Sequence, residues 1–141
     1  MEYDMIKDIV RLNVLINKYF QKITSKLGLS IADAHILIIT ADNEGVNQEF
    51  LAKELGISKN VVTQKLNKII KLDYITKTED SEDRRNNKLY ITDKGKALMI
   101  DINKELKIAN EFVLSKISDF DTMILENNIR IIINSAKKIV K

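Results

Sequence analysis

The 141-residue chain contains no cysteine, no proline and no tryptophan, and it has only four glycines and one histidine. Without cysteine there is no disulfide framework, no thiolate metal site and no thiol redox sensor. One histidine without cysteine makes a zinc site a poor hypothesis, and we expect no metal and no cofactor. The lack of proline and the scarcity of glycine indicate a mostly helical chain with short connections.

The sequence also lacks a long apolar run and a recognisable targeting segment. No run approaches the roughly 20 apolar residues that a membrane-spanning helix needs. The first residues, Met1-Glu2-Tyr3-Asp4, are acidic and lack the basic and apolar blocks of a signal peptide. We therefore expect a cytoplasmic protein with no membrane partner.

The sequence also has a small net charge and few candidate catalytic groups. The net charge of +3 is only mildly basic, and by itself it favours a nucleic-acid partner weakly. We recognise no nucleophile–base pair, no glycine-rich phosphate loop and no metal cluster, so we expect no catalytic residues and no enzyme activity. The apolar fraction of 45% is typical of a globular protein, and the length suits one domain.

Hydrophobic periodicity predicts helices at both ends of the chain. Apolar residues recur in steps of three and four over about 4–27, which indicates a first helix. A second helix over about 31–42 opens on the capping-box pattern Ser30-Ile31-Ala32-Asp33. Two further helices are expected over about 93–116 and from 118 or 119 to about 140.

The middle of the chain has the order of a winged helix-turn-helix. Polar caps open a third helix over 48–55 and a fourth over about 59–72, and Gly56 supplies the positive φ angle that a tight turn requires. Two β-prone segments, 74–78 and 88–91, flank a polar loop. This order places one helix in the DNA major groove and a hairpin, the wing, beside it. We predict a mainly α fold with a small β-wing.

The fourth helix presents a candidate DNA-reading face. If Val62, Leu66 and Ile69 turn inward, the polar and basic residues lie opposite them or at the flanks. Asparagine and glutamine amides can bind adenine edges, valine can touch thymine methyl groups, and lysines can meet phosphates or guanine. A solvated lysine-rich face is the alternative interpretation. The candidate residues are Ser58, Lys59, Asn60, Val61, Gln64, Lys65, Asn67, Lys68 and Lys71.

The predicted wing adds a second basic probe. Arg84 and Arg85 are neighbours at its tip, and Asn86 and Lys88 follow them. Arginine at a hairpin tip can enter the narrow minor groove of A·T-rich DNA. Because four acids share the loop, a charge-balanced solvated hairpin is the alternative, although Asp83 could hold the loop in shape by pairing with Arg85.

These motifs resemble those of the multiple antibiotic resistance regulator (MarR) family of bacterial winged helix-turn-helix proteins. The resemblance lies in Leu51-Ala52, Leu55-Gly56-Ile57-Ser58, Val62-Thr63, Leu66, Ile69, Tyr74-Ile75, and above all in Asp83-Arg84-Arg85, Leu89, Ile91-Thr92 and Gly95. One departure is Asp73, where the family usually has glycine. Aspartate tolerates the left-handed conformation better than most residues, so we expect local strain there rather than another fold.

The resemblance implies a homodimeric transcription regulator, most simply a repressor released by a small molecule. Within a single domain of residues 1–141, residues 1–30 and 96–141 would form dimerisation helices flanking a DNA-binding lobe at 31–95. Each subunit would present one reading helix and one wing to a pseudo-palindromic operator in double-stranded DNA. Apolar residues near the chain ends support a dimer separately, because the small lobe cannot cover them. A monomeric helical core is the alternative.

The resemblance also implies a crevice for a small anionic or aromatic effector. Its lining would come from Tyr19, Phe20, His35, Phe50 and Phe112. The simpler interpretation of His35 is a partly buried side chain with satisfied hydrogen bonds in an apolar helix.

A rival hypothesis keeps the fold but makes the chain a winged-helix protein–protein interaction module without specific DNA binding. The absence of acids from the lysine-rich stretch 58–72 argues against it.

Overall fold

The computed structural model of the chain describes residues 4–79, 82–83 and 86–140. Within these residues the fold is mainly α-helical with one two-stranded antiparallel sheet. The elements in chain order are α1 (Met5–Lys26), α2 (Ile31–Asp42), α3 (Gln48–Leu55), α4 (Lys59–Lys71), β1 (Ile75–Thr78), β2 (Lys88–Ile91), α5 (Asp93–Val113) and α6 (Asp119–Ile139). The predicted fold class and order of elements are confirmed, although α5 ends earlier than about 116.

Polar side chains open the helices and satisfy their free N–H groups. The Asp33 N–H donates to the Ser30 hydroxyl at 3.1 Å and the Ser30 N–H donates to the Asp33 carboxylate at 2.9 Å, so the predicted capping box is present. The side chains of Asn47 and Ser58 cap α3 and α4. Gly56, between these two helices, has a φ angle of 63° and forms the expected left-handed turn.

The chain divides into two compact units, and the boundary falls inside α5 after Asn103. α2, α3, α4 and the sheet form the core of the first unit, which α1 joins through its C-terminal end. The fully buried apolar side chains of this unit include Ile36, Leu37, Leu51, Val62, Ile69, Ile75, Leu89 and Ile102. The N-terminal half of α1 is exposed.

The second unit contains the end of α5 and all of α6. None of the described side chains of α6 is buried. Apolar residues are prominent among its exposed side chains, as at Phe120 (66% exposed) and Ile131 (56% exposed). An open groove of about 410 Å³ runs along Met123, Ile124, Glu126, Asn127 and Arg130.

Neither α1 nor any other single described helix is long and apolar enough to cross a membrane. α1 and α2 together reach such a length and composition, but the chain bends by 86° between them. Within that pair, α2 carries part of the core of the first unit.

The sheet packs onto the core through alternate residues. Ile75 of β1 lies opposite Ile91 of β2 in the antiparallel register. Leu89 and Ile91 are both buried, as the two-residue period of a strand requires. The Leu89 N–H donates to the Val46 carbonyl at 2.8 Å, so β2 is also held to the segment before α3.

The residues at the start of α5 fasten it to the turn that follows α4. The Thr92 hydroxyl donates to the Asp73 carbonyl at 2.6 Å, and the Lys94 ammonium donates to the Leu72 carbonyl at 2.8 Å. Asp73 has a φ angle of 66°, the left-handed conformation expected where the family has glycine. The Gly95 N–H donates to the Thr92 hydroxyl at 3.0 Å, which caps α5.

Gly95 is required because the same turn passes close to its Cα. An added Cβ would lie 2.3 Å from the Tyr74 carbonyl oxygen and 2.6 Å from Cγ1 of Ile91. Since one of these atoms belongs to the backbone, the clash cannot be relieved by a side-chain rotation.

We expect Gly95→Ala to lower the free energy of unfolding by about 2–3 kcal/mol, although alanine is the better helix former. Urea denaturation at a fixed protein concentration measures this change. Gly28→Ala is the matched control, because Gly28 has a φ angle of 71° but no neighbour within 4 Å of an added Cβ. Gly28→Ala should lower the free energy of unfolding only by the left-handed strain, about 1 kcal/mol. Equal losses of stability in the two variants would contradict the clash at Gly95.

Candidate nucleic-acid interface

α4 turns one face into the core and the other outward, as predicted. Val62 and Ile69 are 0% exposed and Leu66 is 3% exposed. On the other side, we call the exposed residues Asn60, Val61, Gln64, Asn67 and Lys71 the outer face of α4. The cap residue Ser58 and the first helical residue Lys59 are also exposed.

The first turns of α4 are fastened to α3. The Gln48 amide donates to the Thr63 hydroxyl, which donates to the Lys59 carbonyl at 2.9 Å. The Lys59 ammonium lies 3.8 Å from the Glu49 carboxylate, and both side chains are at least 68% exposed. An ion pair this exposed is weak, so the Lys59 ammonium remains available to other anions.

Two other lysines of α4 pair with a buried carboxylate of α2. The Lys68 Nζ lies 2.7 Å from Oδ2 of Asp33, and the Lys65 Nζ lies 3.6 Å from Oδ1 of the same residue. The Asp33 side chain is 1% exposed. The sequence predicted that Lys65 and Lys68 meet DNA; in the structure both ammonium groups are directed at the first turn of α2. The physical reason is that a buried anion needs partners, and these lysines flank it.

The charge of Asp33 is stabilised by its partners. Burial would raise the pKa of the Asp33 carboxyl, but the hydrogen bonds from Lys68 and Ser30 and the charge of Lys65 outweigh burial, and this pKa lies below its usual value. Asp33 is therefore an anion at neutral pH. Its Oδ1 atom lacks a hydrogen-bond partner within the described residues and faces Lys65.

The wing carries the remaining predicted contacts. Asn86 and Lys88 are exposed, and the Asn86 N–H donates to the Asp83 carbonyl at 3.0 Å. Arg84 and Arg85 lie outside the described residues, so their predicted entry into the minor groove rests on the sequence alone.

A cavity of about 260 Å³ lies between α3, α4 and the sheet. It contains both members of the Lys59–Glu49 pair and the Gln48–Thr63 hydrogen bond described above. Its lining residues are Gln48, Glu49, Lys59, Thr63, Lys77, Asn87 and Leu89. None of the five predicted effector residues is among them.

The structure brings together two of the five predicted effector residues. The rings of Phe20 and His35 stack with their centroids 5.6 Å apart, and burial lowers the pKa of the His35 imidazole. Tyr19 and Phe50 are 39% and 37% exposed, and Phe112, in the second unit, is 81% exposed. The partly buried histidine that the sequence favoured is present, and the effector crevice stays a prediction.

Comparison with known proteins shows what the chain is similar to. The sequence profile of the MarR family matches residues 27–86, which hold α2, α3, α4 and β1. A MarR transcriptional regulator from Methanosarcina mazei Go1 has the same fold, with a TM-score of 0.85 over 96% of this chain and 97% of that chain, at 26% identity. Residues 27–86 of this chain are therefore similar in sequence to the MarR family.

Two other proteins extend the comparison. The HTH-type transcriptional regulator SarZ of Staphylococcus aureus (strain MRSA252) is 28% identical over 96 residues, or 67% of this chain. That match spans 63% of the length of SarZ. A MarR family regulator from Listeria monocytogenes, solved with 26mer DNA, has a TM-score of 0.82 at 20% identity and covers 95% of this chain and 89% of its own. At that identity the likeness concerns the fold. All three are described as transcriptional regulators and none as an enzyme.

Sequence reasoning missed two contacts that orient α4. Lys68 bonds Asp33 across 35 positions of sequence, and Gln48 bonds Thr63 across 15. Periodicity gives the inward face of a helix, but it does not say which element faces each flank. The available signal was that Lys65 and Lys68 stand one turn apart on the same flank, where one carboxylate can reach both.

We expect Lys68→Met to lower the free energy of unfolding at neutral pH by about 1–3 kcal/mol, because buried Asp33 loses its shortest hydrogen bond. Lys71→Met is the matched control, since Lys71 is exposed and forms no ion pair within the described part of the chain. It should change stability by less than about 0.5 kcal/mol. Chemical denaturation at one protein concentration measures both changes. Equal losses of stability in the two variants would show that Asp33 does not need Lys68.

Acid should narrow the difference between the wild-type chain and Lys68→Met. Because the pKa of Asp33 is lower in the folded than in the unfolded chain, its ion pair stabilises the fold above the unfolded pKa of about 4. This stability is lost as the pH falls through the folded pKa. The same denaturation series at acid pH tests this, and a difference independent of pH would contradict the role of the charge.

Proposed function

We propose that this chain is a sequence-specific, double-stranded-DNA-binding transcription regulator that acts as a homodimer in the cytoplasm. One observation carries the proposal: α4 buries a complete apolar face and presents amides and lysines, with no acid, on the other. A helix held in this way and followed by a wing suits the DNA major groove. The fold that the chain shares with the Listeria protein solved with DNA supports the same use.

Base reading is assigned to the amides of the outer face of α4. Asn60, Gln64 and Asn67 can each bind an adenine edge through two hydrogen bonds, and Val61, which is 37% exposed, can touch a thymine methyl group. Because no acid lies on this helix to accept from cytosine, we expect A·T pairs at the centre of each operator half-site.

Backbone contacts are assigned to the ends of the same surface. Ser58, Lys59 and Lys71 are exposed at the two ends of α4 and can meet phosphates. From the wing, Asn86 and Lys88 would add contacts, and the sequence assigns Arg84 and Arg85 to the minor groove. These contacts position the protein, and the amides specify the site.

The dimer is proposed from apolar surface that each unit leaves exposed. The exposed apolar residues of α1 are Met5, Ile6, Ile9, Val10, Leu12, Val14, Leu15, Ile16 and Tyr19. Those of α6 are Phe120, Met123, Ile124, Leu125, Ile129, Ile131, Ile132, Ile133 and Ile139. Monomeric proteins rarely leave apolar patches of this extent in water. A second copy would cover them and would place two reading helices on half-sites one turn apart.

The regulator is proposed to act as a repressor that a small anionic or aromatic molecule releases. The stacked rings of Phe20 and His35, where α1 meets α2, are the aromatic surface that supports an effector next to the DNA-binding lobe. A ligand can act in this way only if it binds the DNA-free conformation better than the DNA-bound one.

One observation favours the rival function, a protein-interaction module. Asp33 offsets one of the two positive charges of Lys65 and Lys68, which leaves less free positive charge for phosphates than the sequence implies. A module of this kind would bind DNA weakly and without sequence preference. A DNA titration therefore distinguishes the two functions.

Titration against DNA from upstream of the chain's own gene tests the favoured function. We expect specific binding whose affinity falls linearly on a logarithmic salt scale, because phosphate contacts release counterions. Electrophoretic mobility shift or fluorescence anisotropy measures it. Binding that is absent, or that salt does not weaken, would exclude a DNA-binding regulator and leave the interaction module.

Two variants of the outer face separate specificity from general affinity. Gln64→Ala should change the preference at one operator position by about 1–3 kcal/mol. Lys71→Ala should weaken binding to all sequences alike and reduce the salt slope by about one. If Gln64→Ala weakened all sequences equally, Gln64 would not read a base.

Dimerisation is tested by sedimentation of the free protein. We expect the wild-type chain to sediment as a dimer and Ile131→Glu to shift it to a monomer, because a carboxylate would be buried in an apolar interface. Asn134→Glu, a change at an exposed polar position of the same helix, should remain dimeric. A monomeric wild-type chain would remove the two-half-site operator from the proposal.

A further inference from the structure

Lys68 cannot leave Asp33 without a large cost. The hydrogen bond between Lys68 Nζ and Asp33 Oδ2 is 2.7 Å long and charge-assisted, and the Asp33 side chain is 1% exposed. Moving the ammonium to a phosphate would leave a buried anion short of a partner. The new contact with a phosphate would be exposed to solvent and screened by salt. It would therefore stabilise the complex by less than the lost hydrogen bond stabilised the fold.

Lys65 is held by two groups of the same helix turn. Its ammonium lies 3.6 Å from Asp33 Oδ1 and 3.3 Å from the Ser30 hydroxyl, and its side chain is 27% exposed. The two lysines in the middle of α4 are therefore directed toward α2. Cations at either end of the outward surface, Lys59 and Lys71, flank a central stretch that carries amides.

From this geometry we infer that Asp33 is a positioning residue that limits the attraction of α4 for the DNA backbone and so makes binding depend on base contacts. The inference rests on the proposed function. Binding to arbitrary DNA comes almost entirely from cations that displace counterions from phosphates. A lysine whose charge is offset by Asp33 adds little to this attraction for phosphates, whereas the amides of the outer face keep their hydrogen bonds to bases. Asp33 therefore lowers the affinity of the chain for all DNA, and base contacts make up a larger share of operator binding.

The test is Asp33→Asn, which removes the charge and keeps the size and an acceptor oxygen for the Ser30 N–H. The probe is a mixed-sequence duplex of about 30 base pairs, followed by anisotropy between about 50 and about 200 mM NaCl. We expect tighter binding at low salt and a salt slope steeper by about 0.9, because removing one carboxylate frees one lysine charge. Across this range the variant would lose about 3-fold more affinity than the wild-type chain.

Separate controls test whether the Asp33 variant is folded and whether net charge alone explains its binding. Thermal unfolding checks that Asp33→Asn is folded, and Asp33→Gln, which retains the third-position partner of a capping box, is the second variant. Asp8→Asn makes the same change of charge in an exposed pair of α1, where Asp8 lies 3.5 Å from Arg11. It should leave the salt slope unchanged. An equal steepening in Asp8→Asn would assign the effect to net charge and overturn the inference.

A double variant identifies the lysine that is released. In the Asp33→Asn background, Lys68→Met should return the salt slope toward the wild-type value by about 0.9. If the slope of Asp33→Asn does not depend on Lys68, then Lys68 is not released and the inference is wrong.

The two proposals fail in different ways. If the wild-type chain binds neither the upstream DNA nor the mixed-sequence duplex, the proposed function fails and the inference fails with it. If the wild-type chain binds its operator but Asp33→Asn keeps the wild-type salt slope, only the inference about Asp33 is overturned.

Discussion

The burial of one face of α4 determines which side chains the opposite face presents to solvent. Val62, Leu66 and Ile69 are at most 3% exposed, and each is worth about 1.5–3 kcal/mol when buried. Successive residues of a helix are 100° apart, so rotating α4 by one position would expose this set and bury polar groups. Exposed ion pairs, worth at most about 1 kcal/mol each, could not compensate. The outward direction of Asn60 and Gln64 therefore follows from apolar packing and not from their own contacts.

A second constraint comes from the electrostatics at the edge of that packing. Asp33 serves two helices, since its carboxylate accepts from the Ser30 N–H within α2 and from Lys68 of α4. A buried ion pair adds little net stability, because desolvation offsets most of the Coulomb attraction. Its effect is on geometry and charge: the carboxylate links α4 to α2, and it offsets one of the two positive charges of Lys65 and Lys68. Apolar packing sets which way the helix faces, and this ion pair sets how much charge it presents.

Features with local causes could be predicted from the sequence, and features with distant causes could not. The capping box at Ser30, the left-handed turn at Gly56 and the inward set on α4 each depend on residues within about one or two turns of helix. The direction of the Lys68 side chain depends on a carboxylate 35 residues away, and its long flexible stem suits either solvent or α2 equally well. Likewise, no local pattern could show that Phe112 remains 81% exposed.

Several residues that carry the family resemblance build the scaffold. Thr92 and Gly95 fasten α5 to the turn after α4, and Gly95 leaves room for the Tyr74 carbonyl. Leu66, on the inward face of α4, is likewise a packing residue. The groups assigned to base reading, such as Gln64, stand between these positions and take no part in the motif. A shared scaffold therefore fixes where a reading helix sits and leaves its outward side chains free to differ, because exposed positions contribute little to folding. The scaffold specifies how the helix is held, and the operator must be learned from the outward residues themselves.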